Sequence, residues 1–149
     1  PDPKKGVEEM LRVTKPGGIV AAYAWDVTSG GLPMEPLHKI MREMGIEYPL
    51  PPSLEASQKR VMKEIWTNLG ISEVETTTFD VKRSFNNFND YWSISSVGPS
   101  VAGTLKSLST ETVNEIKLKL NASLERDAEN NIITYAFANA VKGIKTERS

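Results

Sequence analysis

The stretch LRVTKPGGIVAAYAWD, residues 11–26, decides the fold prediction. A charged segment ends at Lys15, Pro16-Gly17-Gly18 interrupts it, and an apolar run over 19–25 follows. Apolar residues at both alternating sets of positions are typical of a strand that is covered by helices on both faces. We therefore predict a helix over 4–14, a tight glycine turn and a doubly buried strand, which together form half of a βαβ unit.

The start of this helix carries its own signals. Val7, Met10 and Leu11 are spaced as i, i+3 and i+4, which places them on one helix face. Asp2 is a suitable N-cap, and Pro3 fits the first turn, where a missing N–H costs nothing. At the other end, Gly17 and Gly18 are interpreted as structural, because a sharp helix-to-strand turn requires their backbone freedom.

The composition excludes several function classes. The 149 residues suffice for one compact domain. Eighteen basic residues face nineteen acidic ones, so no net field attracts nucleic acid or an anionic membrane, and we predict neither partner. The absence of cysteine excludes disulfides and thiolate metal sites and favours a reducing, cytoplasmic location. A single histidine, His38, excludes a multi-histidine zinc site, so no metal is predicted.

The remaining elements follow in a regular order. Residues 27–52 are rich in proline and are predicted to form a loop or cap segment with one short helix over 36–44. A helix is predicted over 53–69, with Ser53 as N-cap and Gly70 as the stop. The half-polar strand over 73–85 is expected at a sheet edge. The strand over 132–142 is apolar on both faces and is expected to be central.

A helical insertion is predicted over 86–130, between the last two strands. The insertion begins directly after Phe85, and its first residues include Phe88, Tyr91 and Trp92, which form an aromatic cluster with Phe85. It ends with an amphipathic helix over about 111–129, whose inward positions are Val113, Ile116, Leu120 and Leu124. The predicted fold class is α/β, in one domain over 1–149.

The residues 1–26, PDPKKGVEEMLRVTKPGGIVAAYAWD, resemble the middle of class I S-adenosylmethionine-dependent methyltransferases. The closest group is the small-molecule branch related to ubiquinone and menaquinone biosynthesis methyltransferases. Residues 68–79, NLGISEVETTTF, resemble the segment that precedes the family's sixth strand, and DYW at 90–92 lies where relatives place a helical insertion over the substrate. The resemblance implies methyl transfer from S-adenosylmethionine to a small-molecule acceptor. It also implies a partial Rossmann-like methyltransferase sheet of the last three strands, the final one antiparallel and between the other two.

The chain departs from the family in its cofactor site. No G-x-G-x-x-G or G-x-G-x-G occurs, and neither glycine pair joins a strand to a helix N-terminus. The family places its glycine-rich loop after the first strand and its ribose-binding acidic residue after the second. We therefore expect the chain, which begins with Pro1 rather than Met, to be the C-terminal half of such an enzyme. On this interpretation it lacks the first four strands and most of the cofactor site, is inactive alone, and has no assignable catalytic residue.

Two pairs of residues are predicted to bind the substrate. Trp25 and Asp26 follow a sheet strand at its carboxyl end, where open α/β sheets bind ligands; the alternative is that Trp25 packs under the loop and Asp26 caps a turn. Tyr91 and Trp92 are candidates to wall a pocket for an apolar or planar substrate; the alternative is that they anchor the insertion's own core. His38 is a candidate general base, but a surface position is the favoured interpretation.

The strand over 19–25 also suggests a partner. Without the family's fourth strand beside it, this strand is a flat, apolar edge that is open to pairing with another chain. We therefore expect a homodimer or an aggregate through residues 19–25. Two other interpretations remain open: a non-enzymatic interaction or regulatory module derived from the same fold, and half of a different α/β enzyme such as a dehydrogenase. The second is disfavoured, because its final strands should remain parallel.

Overall fold

A mixed α/β fold with a four-stranded antiparallel open sheet is seen in the computed structural model, which describes residues 2–147. Pro1 of the family-like PDP stretch lies outside the described residues. The elements are α1 Pro3–Val13, β1 Ile19–Trp25, α2 Glu35–Glu43, a 3-10 helix Leu54–Ser57, α3 Lys59–Asn68, β2 Ser72–Phe85, α4 Phe88–Ser95, α5 Ala102–Ser107, α6 Thr110–Ser123, β3 Glu125–Arg126 and β4 Ile132–Ile144.

The last strand, β4, lies in the middle of the sheet. The strand order is β1-β4-β2, and the short β3 also pairs with β4. The β1–β4 ladder is antiparallel and runs from Ile19 opposite Ile144 to Trp25 opposite Ala138. The predicted central position of 132–142 and the predicted edge position of 73–85 are therefore confirmed. Since β1 and β2 are both antiparallel to β4, they run in the same direction and need the crossover connection that contains α3.

The described residues divide into two compact units, each with its own core. The second unit contains most of the predicted cap segment 27–52 and all of the predicted insertion 86–130, together with the adjoining ends of β2 and β4. The prediction of one domain over 1–149 stays a prediction. Among the described residues, the first unit is 2–31, 52–80 and 137–147, and the second is Leu32–Pro51 and Val81–Ala136.

The core of the first unit lies on one face of β1. Val20 packs there with Leu11 from α1 and Trp66 from α3. The side chains of the opposite face remain exposed, with Ile19 at 71% and Tyr23 at 79%. The prediction that 19–25 is buried on both faces is therefore wrong, because the helices α1 and α3 of this unit both pack into the core on this one face.

Both ends of α1 are closed by polar contacts. Asp2 Oδ1 accepts hydrogen bonds from the backbone N–H of Lys4 and Lys5, which confirms the predicted N-cap. At the other end, the ammonium of Lys145 donates to the carbonyls of Leu11 and Thr14, at 2.7 and 3.0 Å. Gly17 then takes φ +75, which confirms that its role in the turn is structural.

The predicted helix over 53–69 is broken in two. A 3-10 helix ends at Ser57, Gln58 is extended, and α3 starts only at Lys59. The break has a physical cause. The Ser57 hydroxyl accepts from the N–H of Val27, and its carbonyl accepts from Asn139, so Ser57 is held by contacts that lie outside the helix. Ser53 lies at φ 57 before the 3-10 helix and is not the N-cap of α3.

The second unit is helical around an apolar core. Leu37 and Met41 from α2 pack with Tyr91 and with Ile116 and Leu120 of α6. The predicted short helix over 36–44 is confirmed as α2. The predicted helix over 111–129 ends at Ser123, because Glu125 and Arg126 pair with β4 as β3, and the Asp127 carboxylate then holds the turn by accepting the N–H groups of Glu129 and Asn131. The sequence did not predict α4 and α5 as separate helices.

Candidate functional site

The carboxyl end of β1 carries a buried carboxylate, Asp26, which is 8% exposed. Its Oδ1 accepts from the Thr28 hydroxyl at 2.9 Å and from the Ser29 N–H at 3.0 Å. Its Oδ2 accepts from the Asn139 amide at 2.8 Å. Burial acts to raise the pKa of Asp26, but the hydrogen bonds from Asn139, Thr28 and Ser29 outweigh it, so this pKa lies below its usual value. Asp26 is thus an ionised, fully occupied anchor at the start of the loop.

Asn139 links this carboxylate to three other segments of the first unit. It lies on β4, is 2% exposed, and donates to the Ser57 carbonyl at 2.8 Å as well as to Asp26. Its carbonyl oxygen accepts from the Thr78 hydroxyl on β2 at 2.9 Å. We call Asp26, Ser57, Thr78 and Asn139 the asparagine network. Each hydrogen-bonding atom of the Asn139 side chain has a partner, and such a buried network fixes one geometry.

The loop after β1 is closed tightly onto β4. The N–H of Gly31 donates to the Asp26 carbonyl at 2.7 Å, and the N–H of Phe137 donates to the Gly31 carbonyl at 3.0 Å. A Cβ at Gly31 would lie 2.5 Å from the Phe137 carbonyl oxygen, so no larger residue fits without a backbone shift. Asp26 caps this turn, since its Oδ1 accepts from Thr28 and Ser29, and this is the geometry that the alternative interpretation of Asp26 expects. The half-buried Trp25 lies opposite Ala138, and its role in substrate binding stays a prediction.

Tyr91 and Trp92 lie in the second unit, on α4. Tyr91 is completely buried and packs edge-on against Phe85, with ring centroids 5.2 Å apart. Burial raises the pKa of Tyr91, and weak interactions with Ser95 and the backbone of Leu37 offset only part of this. Trp92 is half-buried, stacks on Phe88, and has the ammonium of Lys117 5.0 Å from its ring centroid. Both residues therefore take part in the packing of this unit, and their predicted role in substrate binding is untested.

A polar cluster that the sequence analysis missed surrounds His38 in the second unit. His38 is 1% exposed, so the favoured interpretation as a surface residue is wrong. Its Nε2 lies 2.9 Å from the Ser100 hydroxyl, and its ring stacks on Tyr48 with centroids 4.3 Å apart. Its Nδ1 lies 3.9 Å from a Glu35 oxygen, and Arg42 donates to both Glu35 and Tyr48.

The ionisation of this cluster follows from burial. Burial lowers the pKa of His38 below its usual value, nearby Glu35 raises it, and nearby Arg42 lowers it further, so the imidazole is neutral at pH 7. The geometry does not favour nucleophilic catalysis at Ser100. The N–H groups of Val101 and Ala102, which follow Ser100, already donate to the Gly98 carbonyl and do not form an oxyanion hole.

A groove of about 450 Å³ lies on the uncovered face of the sheet in the first unit. Small residues line its base, and Tyr23 and Phe79 form apolar walls. Glu75 and Lys142, which form an ion pair at 3.1 Å, also line it. Ala21, Ala22, Thr76, Thr77, Ala140 and Val141 complete the lining. Its volume is within the usual range of ligand pockets, but it offers few polar groups to orient a small molecule.

Across residues 2–147, no three or more His, Asp or Glu side chains come together in a way that would hold a metal ion. None of the helices in that range is both long and apolar enough to cross a bilayer.

In comparisons with known proteins, no family model matches the chain and no curated protein matches it.

The signals for the missed residues differ. Glu35, His38 and Arg42 are spaced as i, i+3 and i+7, so their common helix face was readable from the sequence. Their partner Ser100 is 62 residues from His38, and Asn139 is 113 residues from Asp26. No local sequence pattern predicts contacts over such separations, so the asparagine network could not be predicted from the sequence.

Proposed function

We propose that the chain is the acceptor-side part of a class I methyltransferase that transfers a methyl group from S-adenosylmethionine to a small molecule. The observation that supports this most directly is the sheet order β1-β4-β2, with an antiparallel last strand between two strands of the same direction. The resemblance of residues 1–26 and 68–79 implies the same order. The residue patterns alone predict this order as well, since 132–142 is apolar on both faces and 73–85 is half polar, so the order supports the proposal independently of the sequence motif.

The packing of the helices supports the proposal a second time. Helices α1 and α3 share one core with Val20, Ala22 and Ala24 of β1, whereas Ala21 and Tyr23 lie along a bare groove. A mostly parallel α/β sheet carries helices on both faces. A preceding half of such a fold would supply helices for the bare face and a strand beside β1.

The described residues do not fit S-adenosylmethionine by themselves. Asp26 is the carboxylate at the end of β1, and its oxygens are already bonded to Thr28, Ser29 and Asn139. Gly31 is closed against Phe137 and leaves no cradle for a ligand. We therefore assign no cofactor contact and derive no methyl-transfer step within this chain, and we propose that it is inactive alone. A cysteine-free chain suits a cytoplasmic enzyme.

The test begins with the DNA immediately upstream of the codon for Pro1. The proposal expects an open frame that encodes a strand, a glycine-rich loop and an acidic residue after the next strand. The polypeptide from that longer frame should bind S-adenosylmethionine in calorimetry and transfer its labelled methyl group to small molecules, whereas the 149-residue chain should do neither. A start codon directly before Pro1, or a longer polypeptide without affinity for S-adenosylmethionine, would refute the proposal.

A second candidate function is a non-enzymatic interaction module, and the free edge of β1 favours it. Ile19–Trp25 contains no charged residue and no proline, which are the usual protections of an edge strand. We propose that in the 149-residue chain this edge pairs with a second copy, to give a homodimer through residues 19–25. A start codon directly before Pro1 would make this the leading function.

A further inference from the structure

We infer that the homodimer forms by antiparallel pairing of β1 with β1 about Ala22, and that Tyr23 anchors it by lying over the groove of the other copy. This inference rests on the proposed homodimer and adds its register, its symmetry and its central side chain. It does not depend on methyl transfer.

The backbone of β1 determines which residues are free to pair. In an antiparallel ladder, residues bonded to the neighbouring strand alternate with residues that point away from it. Beyond the two ends of β1, Lys145 N–H donates to the Gly18 carbonyl, and Asp26 N–H donates to the Phe137 carbonyl. Even-numbered residues therefore bond to β4. The odd-numbered residues direct their N–H and C=O to the open edge: Ile19, Ala21, Tyr23 and Trp25.

One symmetric register uses the whole strand. Pairing about Ala22 places Ile19 opposite Trp25 and Ala21 opposite Tyr23, so every odd-numbered residue meets an odd-numbered partner. All free backbone groups of the edge are then bonded, and the two-fold axis passes beside Ala22. Shifting the register by two residues in either direction, to centre it on Ala21 or Tyr23, leaves part of each strand unpaired. Like-for-like pairing about one axis is the isologous contact of a C2 dimer.

The side chains of this register are complementary in size. The groove on the bare face has Ala21 and Ala140 in its lining. The Tyr23 ring of the second copy, whose backbone is opposite Ala21, would cover this position. Tyr23 is 79% exposed in the single chain, so covering it removes much apolar surface from water. A large residue beside a small one is what close packing requires.

The register is tested by cross-linking, because the chain contains no cysteine of its own. In the inferred register the two Ala22 residues form a non-hydrogen-bonded pair about 4.5 Å apart, within the range of a disulfide. Ala22→Cys should form a covalent dimer on air oxidation at tens of micromolar. Ala21→Cys and Ala24→Cys are matched controls that should remain largely uncrosslinked, because neither residue is opposite its own copy in this register and both variants keep Tyr23. Cross-linking of either control in preference to Ala22→Cys would overturn the register.

The dimer itself is tested by light scattering of the unmodified chain and of edge variants. The unmodified chain should show twice the monomer mass at tens of micromolar, and a monomer there would overturn the inference. Ala21→Pro removes an N–H that points to the open edge, so it should remain folded and become monomeric. Tyr23→Lys, at an exposed site, should also be monomeric, whereas Tyr135→Lys, at another exposed aromatic residue, should remain dimeric. A dimer that survives both edge variants would overturn the inference.

These outcomes are distinct from those of the proposed function. A monomeric chain leaves methyl transfer by a longer polypeptide untouched. Conversely, an upstream frame without a cofactor site leaves the cross-linking result unchanged.

Discussion

Replacing Asn139 by alanine should destabilise the first unit more than most single substitutions. The change removes the two hydrogen bonds that Asn139 donates, to the Asp26 carboxylate and the Ser57 carbonyl, each at 2.8 Å. It also removes the acceptor of the Thr78 hydroxyl. A hydrogen bond to a charged group contributes about 1.5–3 kcal/mol and a neutral one about 1 kcal/mol. The sum is a loss of about 4 kcal/mol in the free energy of unfolding.

The assay is urea unfolding followed by circular dichroism, with Thr78→Val as the matched control. That control removes only the hydroxyl that donates to the Asn139 carbonyl oxygen, so its cost should be about 1–2 kcal/mol. If Asn139→Ala cost less than about 1 kcal/mol, or no more than Thr78→Val, the asparagine network would not be the anchor described above.

The pH dependence of the same variant gives an independent check. The folded-state pKa of Asp26 lies below the model-compound value of 3.8, so the unfolded chain binds the proton more tightly. Its contribution to stability is therefore present above pH 3.8 and is lost as the pH falls through the lower, folded-state pKa. Because Asn139 supplies one of the hydrogen bonds that lower this pKa, the loss of stability below pH 3.8 should be shallower in Asn139→Ala. An unchanged slope would contradict the assignment.

Three further predictions concern the backbone and the other buried polar groups. Gly31→Ala should cost about 1–3 kcal/mol in chemical denaturation, because its Cβ would lie 2.5 Å from the Phe137 carbonyl oxygen; an unchanged midpoint would disprove this contact. Lys145→Met should lower the free energy of unfolding by about 1–2 kcal/mol, since it keeps the aliphatic stem but loses two hydrogen bonds at the C-terminus of α1; a neutral effect in thermal unfolding would contradict the capping role. The lowered pKa of His38 means that the unfolded chain binds its proton more readily, so stability should fall as the pH drops below about 6.5, and His38→Asn should remove this dependence in unfolding measured between pH 5 and 8.

The sequence predicted the elements whose signals are local. The cap at Asp2, the turn at Gly17 and the central position of 132–142 all follow from short patterns of residue type, and all are confirmed. Errors arose where distant residues determine the local backbone. Ser57 breaks the predicted helix over 53–69 because its carbonyl is bonded to Asn139, which is 82 residues away. His38 is buried by Tyr48 and Ser100, which the helix pattern alone does not reveal.

The candidate site was predicted less well than the fold. Asp26 was correctly placed at the carboxyl end of a strand, but the partners that determine its ionisation lie on other elements. Tyr91 and Trp92 were recognised as an aromatic cluster, and the sequence analysis left both a pocket and a packing role open. The structure shows how they pack in the second unit, with Tyr91 completely buried.

Both proposals place an occupant beside the same exposed residues of β1. Either occupant would account for apolar residues on the face of β1 that α1 and α3 do not cover. The even-numbered residues need to be apolar because they pack under α1 and α3. That packing gives no reason for Ile19 and Tyr23, which are 71% and 79% exposed, to be apolar as well. An apolar residue at an exposed edge invites association, and natural edge strands usually carry a charge there. The two proposals each give the odd-numbered row a cover: a preceding half of the same fold in the first, and a second copy in the second. Since both occupants bond to the same edge, a longer polypeptide that supplies the neighbouring strand should abolish cross-linking through Ala22→Cys.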